Sequence, residues 1–130
     1  KRKDIIFSMG EMESLGIGPL LAELPIVQRE SWTESIELVL SGPLSDINSN
    51  IAFFAVGEID ERELKHLNAL VNKFTNNREI IITKDLREAL RSPNLIVITA
   101  LGITRNQQLI DARQKLLLQR VSILGLIALT

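Results

Sequence analysis

Four short apolar runs in the last eighty residues constrain the fold more than any other feature of this sequence. They are IAFFAV at 51–56, EIIIT at 79–83, NLIVITAL at 94–101 and VSILGLIAL at 121–129. Each run has the length of a β-strand and carries apolar residues on both faces, as strands do in a parallel sheet that is covered on both sides. Polar segments with helical spacing separate the runs, and strands that alternate with helices are expected to pair in parallel.

These patterns predict a three-layer α/β domain, Rossmann-like or P-loop-like, with a mostly parallel sheet of four to five strands and helices on both faces. The fifth strand of this prediction is IIFSM at 5–9. A helix is predicted to begin at Pro19, because a proline at the first helical position loses no hydrogen bond. The apolar stripe of that helix consists of Leu20, Leu21 and Leu24.

Capping signals predict where the later helices begin. In a capping box, a hydroxyl or acidic residue is followed three positions later by Glu or Gln, and the two side chains satisfy free backbone N–H groups. Four such pairs occur in the chain: Ser31 with Glu34, Asp60 with Glu63, Asp85 with Glu88 and Thr104 with Gln107.

The bulk properties limit the classes of function. The chain has 130 residues, the size of one domain, and we expect residues 1–130 to be a single α/β domain excised from a longer protein. The net charge of −1 argues against a nucleic-acid partner, and the absence of Cys excludes thiolate metal sites and disulfides. The longest apolar run is about nine residues, too short to span a membrane. We therefore expect a cytoplasmic location.

Motifs for enzymatic chemistry are incomplete. The sequence contains neither G-x-x-x-x-G-K-[ST] nor G-x-G-x-x-G, so Gly10, Gly16 and Gly18 are interpreted as turn residues rather than a phosphate cradle. A catalytic histidine would need a nucleophile, and the sequence contains no nucleophile elbow. The only histidine, His66, is therefore interpreted as a surface residue. No cofactor and no metal are predicted, and the sequence favours a protein that is not an enzyme.

The candidate site residues are those that follow the predicted strands, since ligands of parallel sheets bind beyond the carboxyl ends of the strands. We expect them to contact a partner or a weak anionic ligand. They are Gly57, Glu58, Thr83, Asp85, Gly102, Thr104 and Arg105. A cation site made of Glu58, Asp60 and Asp85 is the less favoured interpretation, because helix capping already explains both aspartates.

The segment SPNLIVITALGITR at 92–105 and the run VSILGLIA at 121–128 resemble the last two strands of the bacterial tyrosine-kinase domains. These belong to the MinD/ParA-like P-loop group and act in exopolysaccharide chain-length control and export. Residues 16–22 and 52–57 resemble two further segments of that family. Residues 1–130 contain no P-loop, which would lie upstream of residue 1 or not exist. Thr83 stands where the family carries an Asp, and the sequence has no Tyr. The resemblance thus implies a degenerate copy that is kept for assembly.

Our first functional hypothesis is a non-catalytic regulatory or assembly domain of P-loop-like descent in polysaccharide biosynthesis or export, acting through a protein partner or self-association. A flavodoxin-like domain that senses a small molecule or signal is the first alternative. An enzyme fragment whose catalytic groups lie outside this chain is the second.

Overall fold

A five-stranded parallel sheet with helices on both faces forms the domain, as the computed structural model shows for residues 4–75 and 78–130. The strands are β1 (Leu20–Leu24), β2 (Ile51–Ala55), β3 (Ile80–Thr83), β4 (Asn94–Ala100) and β5 (Ser122–Leu129). The helices are α1 (Met9–Glu13), α2 (Trp32–Ser41), α3 (Glu61–Val71), α4 (Leu86–Ala89) and α5 (Asn106–Leu117), and a 3-10 helix (Ile26–Ser31) precedes α2. The three-layer α/β prediction is confirmed, and the four predicted C-terminal strands agree with the structure to within one residue at each end.

The strand order is β1-β5-β4-β2-β3, with all pairs parallel. From β1 to β2 to β3 the chain moves one way along the sheet, with α2 and α3 on one face. From β3 to β4 to β5 it moves back, with α4 and α5 on the other face. Crossovers of a single hand produce this arrangement. The direction reverses between β2 and β4, which is the topological switch point.

Read from the β3 edge, the order β3-β2-β4-β5 matches the first four positions of the doubly wound order 2-1-3-4-5. The fifth position is filled by β1, the first strand of the chain rather than the last. The sheet is therefore a circular permutation of that order.

Two apolar cores flank the sheet. On one face, Trp32 and Ile36 of α2 and Leu67 of α3 pack against residues of β2 and β4 such as Phe53 and Ile96. On the other face, α1, α4 and α5 cover the alternate side chains of the same strands. Because β2 and β4 are buried along their whole length, both faces had to be apolar, which explains their unbroken apolar sequences.

The predicted strand at 5–9 is wrong. Only Ile5 makes an isolated antiparallel bridge, to Arg105, and α1 begins at Met9. The reason is a capping box: the Ser8 hydroxyl accepts from the Glu11 N–H, and the Glu11 carboxylate accepts from the Ser8 N–H. This local pair starts a helix before a strand can form.

The predicted helix at Pro19 is also wrong, because residues 20–24 form β1. Leu, Ala and Glu favour helix when considered locally, but pairing with β5 decides the conformation. A close approach of two glycines permits that pairing: a methyl group on Gly18 would lie 3.1 Å from the Gly125 Cα atom. Pro25 follows the end of the strand directly.

The capping predictions had mixed outcomes. Asp60 and Asp85 are N-caps, as predicted, and accept the N–H groups of residues 62 and 87. Ser31 does not cap α2, since its hydroxyl donates to the Gln28 carbonyl and the 3-10 helix runs directly into α2. The cap of α5 is Arg105 instead of Thr104, whose side chain is used elsewhere. No helix within the described parts of the chain is both long and apolar enough to cross a membrane.

Candidate functional site

The carboxyl edge of the sheet holds all seven candidate residues, at the ends of three neighbouring strands. Those that follow β2 are Gly57 and Glu58, those at the end of β3 are Thr83 and Asp85, and those that follow β4 are Gly102, Thr104 and Arg105. Since β4, β2 and β3 are adjacent, the structure brings these residues to one rim. Their hydrogen bonds determine what each can do there.

Thr104 joins the two strands that flank the switch point. Its hydroxyl donates to the Val56 carbonyl oxygen at 2.8 Å and accepts the Ala100 N–H at 2.9 Å, and the residue is 0% exposed. A hydroxyl group has one donor position and two acceptor positions. These two hydrogen bonds use the donor position and one acceptor position of Thr104. Thr104 therefore fastens the end of β2 to the turn after β4.

Gly57 completes the contact between these strands. It has a φ of +102°, and a methyl group on its Cα would lie 2.8 Å from the Thr104 Oγ1 atom. A side chain here would be strained by the backbone and would collide with Thr104. Gly57 is thus required for close packing, and no space for a ligand is left between the two turns.

The segment before α1 covers the turn after β4. The Ile6 N–H donates to the Thr104 carbonyl at 3.0 Å, and the Gly102 N–H donates to the Ile6 carbonyl at 2.8 Å. The Arg105 N–H is bonded to the Gln108 side chain at 2.9 Å. The backbone groups that could have held an anion at this turn therefore bind the chain itself.

The end of β3 is organised in the same way. The Thr83 hydroxyl accepts the Asp85 N–H at 2.9 Å, and the Asp85 carboxylate accepts the Arg87 N–H at 3.0 Å. Lys84 lies 3.3 Å from the Glu61 carboxylate. Across residues 4–75 and 78–130, no three His, Asp or Glu side chains are grouped so that they could hold a metal ion.

A cavity of about 430 Å³ lies beside the switch point, on the face covered by α5. Its apolar lining comes from the end of β2 and from two helices, and consists of Phe54, Ala55, Val56, Leu86 of α4 and Ala112 of α5. Its polar lining combines both signs of charge and consists of Glu58, Lys84, Gln108, Asp111 and Lys115. A small molecule with an apolar part and polar groups of both signs would suit it, since pockets of this size bind ligands through a few placed polar groups.

Of the residues that line this cavity, sequence reasoning identified only Gly57 and Glu58. The residues of α5 carried a usable signal, because Gln108, Asp111 and Lys115 have the i, i+3, i+7 spacing of one helical face. Nothing in the sequence indicated that this face points towards the end of β2. That placement depends on the strand order.

A second polar cluster was missed altogether. The Arg29 guanidinium binds the Glu63 carboxylate through two hydrogen bonds of 2.8 Å, and Glu63 is buried. The hydrogen bond that Arg29 donates to the Glu63 carboxylate raises the pKa of Arg29, and the charge of Glu63 makes a smaller contribution in the same direction. Next to this pair, Trp32 donates its indole N–H to the Pro25 carbonyl at 2.7 Å, and its ring lies 5.2 Å from that of His66.

This cluster fastens the 3-10 helix and α2 to α3. Trp32 is fully buried, and His66, which was predicted to be a surface residue, is half-buried. The His66 Nε2 atom lies 3.4 Å from the Arg29 carbonyl oxygen. Since Arg29 and Glu63 are 34 positions apart, no local motif could have paired them.

Comparison with models of known protein families, with curated proteins and with solved structures found no match to this chain.

Proposed function

We propose that this domain is non-catalytic and acts in regulation or assembly by binding another protein. The observation that carries this proposal is the use of the polar groups on the carboxyl edge. The hydroxyls of Thr83 and Thr104 and the carboxylate of Asp85 all hold the domain's own turns together. Catalytic groups must instead be free to reach a substrate.

The resemblance to the exopolysaccharide tyrosine-kinase domains places the proposed role in polysaccharide biosynthesis or export. In that setting a degenerate domain would serve as a binding partner for other components. This part of the proposal depends on the resemblance alone and stays a prediction.

The test of the non-catalytic role is a measurement of nucleotide binding and turnover. Thermal unfolding is followed with and without ATP and Mg²⁺, and phosphate release is measured in the same samples. We expect no rise in Tm and no release above the buffer rate. A native-state ligand at a hundred times its Kd adds about 2.7 kcal/mol, so bound nucleotide would raise the Tm clearly. Release of phosphate that is lost in a Lys84→Ala variant would overturn the proposal.

A second candidate function is the sensing of a small molecule, and the cavity beside the switch point favours it. The apolar lining and the mixed charges of this cavity support a small zwitterionic or polar ligand. The test is a thermal-shift screen of amino acids, sugars and their phosphates. A true cavity ligand should lose its effect in Gln108→Ala and in Ala112→Leu, which fills the space. The matched control is Gln119→Ala, because Gln119 is exposed and lies beyond α5.

A further inference from the structure

β1 presents an open strand edge. It lies at the end of the strand order and, in the parts of the chain that the structure describes, pairs only with β5. The Leu24 carbonyl accepts the Thr130 N–H at 3.0 Å, so the peptide groups of Leu24 face β5. Because the backbone groups of successive strand residues point to opposite sides, the N–H and C=O of Glu23 face outwards. Such groups can accept an added strand.

A groove runs beside this edge, between β1 and α2. It has a volume of about 230 Å³ and is lined by Leu21, Ala22, Ser35, Leu38, Val39 and Pro43. Leu38 is 63% exposed, although a leucine on a helix of this domain normally faces a core. An irregular register between Leu20 and Ala22 disrupts the start of the edge. The regular part that can receive a strand is therefore short, at 22–24, and the Leu38 groove adds apolar contact to it.

The charge around the edge indicates what can bind. Residues 4–61 contain eleven acidic residues and one basic residue, whereas residues 62–130 contain five acidic and eleven basic residues. In β1, the 3-10 helix and α2, the exposed acidic residues are Glu23, Glu30, Glu34 and Glu37. The one basic residue of the first part, Arg29, is bonded to Glu63. The exposed charged residues of these three elements are thus acidic.

This acidity argues against a second copy of the chain as the occupant. Pairing of β1 with β1 of another copy would bring Glu23 and Glu34 close to the same residues of the partner. Like charges that face each other across an interface lower affinity and suppress association. A basic partner would gain from the same charges.

We propose that the open edge of β1 docks an extended, basic segment of another protein, which adds as a sixth strand. An apolar side chain of that segment lies against Leu38 on the face of the sheet that α2 covers. Its Lys or Arg side chains face Glu23 on the opposite face and are attracted by Glu34, which precedes Ser35 of the groove lining. This inference rests on the proposed protein-binding function and specifies the surface and the chemistry of the partner.

The test uses two fluorescein-labelled synthetic peptides of seven residues. In the Lys peptide, Lys alternates with Val or Leu. The Glu peptide has the same sequence with Glu in place of each Lys. Fluorescence anisotropy gives the Kd for each peptide at low and at physiological salt. We expect the Kd of the Lys peptide to be at least about tenfold lower than that of the Glu peptide. A tenfold difference in Kd corresponds to about 1.4 kcal/mol of binding free energy. Its affinity should fall as salt screens the charges.

Three variants locate the binding. Glu34→Lys should weaken the Lys peptide about tenfold or more, whereas Glu88→Lys, a matched charge reversal on α4 at the far edge, should not. Glu23→Pro removes the outward N–H and should abolish strand addition. Because that N–H faces away from β5, the fold should tolerate the proline, and the urea midpoint checks this.

Equal affinity for the two peptides would overturn the inference. So would equal weakening by Glu34→Lys and Glu88→Lys, or amide NMR shifts on peptide binding that spare residues 22–24. A dimer that Glu23→Pro dissociates would identify a second copy as the occupant and also overturn it. The proposed function fails if the protein turns over nucleotide, whereas this inference fails on the peptide-binding results alone. The two failures are therefore distinguishable.

Discussion

Replacing Thr104 with Val should destabilise the domain strongly, although the two side chains have nearly the same shape. The change leaves no cavity, but it removes the partner of the Val56 carbonyl and of the Ala100 N–H. Each buried polar group left without a partner costs about 1–3 kcal/mol. We therefore expect a loss of about 2–4 kcal/mol from a free energy of unfolding that is typically about 5–15 kcal/mol.

The matched control is Thr99→Val. Thr99 is also 0% exposed, but among the residues that the structure describes its hydroxyl forms a hydrogen bond only with the Met12 sulfur, at 2.9 Å. A thioether is a weak acceptor, so this variant should lose less than about 1 kcal/mol. Thr104→Val and Thr99→Val are thus the same substitution at equally buried positions, and they differ in the hydrogen bonds that they remove.

Urea unfolding followed by the fluorescence of Trp32 measures both variants, because Trp32 is the only tryptophan and is fully buried. With a slope of about 1–3 kcal/mol per molar urea, the midpoint for Thr104→Val should fall by about 1–2 M. Equal midpoints for the two variants would refute the structural role of Thr104. If Thr104 serves a ligand instead, its variant should keep its stability and lose only a ligand-induced rise in Tm.

Three further perturbations test the packing and the charges. Gly57→Ala should lower the free energy of unfolding by about 2 kcal/mol or more in the same urea assay, because the methyl group meets a strained backbone and a buried hydroxyl. Gly125→Ala places a methyl group 2.6 Å from the Pro19 carbonyl; it should cost about 1–3 kcal/mol and speed hydrogen exchange in β1. The side-chain hydrogen bond from Arg62, followed by its backbone N–H, holds the pKa of Asp60 below its usual range. A lowered folded-state pKa stabilises the protein above about pH 4 and ceases to do so as the pH falls through that pKa, so Asp60→Asn should make thermal stability less sensitive to acid.

The strands that were predicted and the strand that was missed differ in burial. In β2 and β4 every residue is buried, so an unbroken apolar run in the sequence is enough to predict each strand. β1 lies at an edge, three of its five residues are half-buried, and Glu23 is exposed. The segment LLAEL also lacks the β-branched residues that indicate strands. The segment forms a strand because it pairs with β5. Pairing between segments that are distant in the sequence cannot be predicted from the local pattern of apolar residues.

The positions of the site residues could be predicted, but their roles could not. Residues after parallel strands must lie at one edge, so the rim followed from the strand assignment. The partner of the Thr104 hydroxyl is 48 positions away, at Val56. It is adjacent only because β2 and β4 are neighbours, and the sequence did not fix that order. The same applies to Arg29 and Glu63.

The strand order also explains which residues close the crevice between the ends of β2 and β4. α3 and α5 leave β2 and β4 on opposite faces, and this divergence ordinarily opens a ligand crevice. Here Thr104, Gly57 and Ile6 occupy the space, and Ile6 is almost fully buried. Ordering the segment around Ile6 costs about 1–2 kcal/mol per residue in backbone entropy. Buried apolar area and two backbone hydrogen bonds offset this cost only while the segment fills the crevice. A ligand between the strand ends would have to displace this segment, whereas a strand added to β1 displaces nothing.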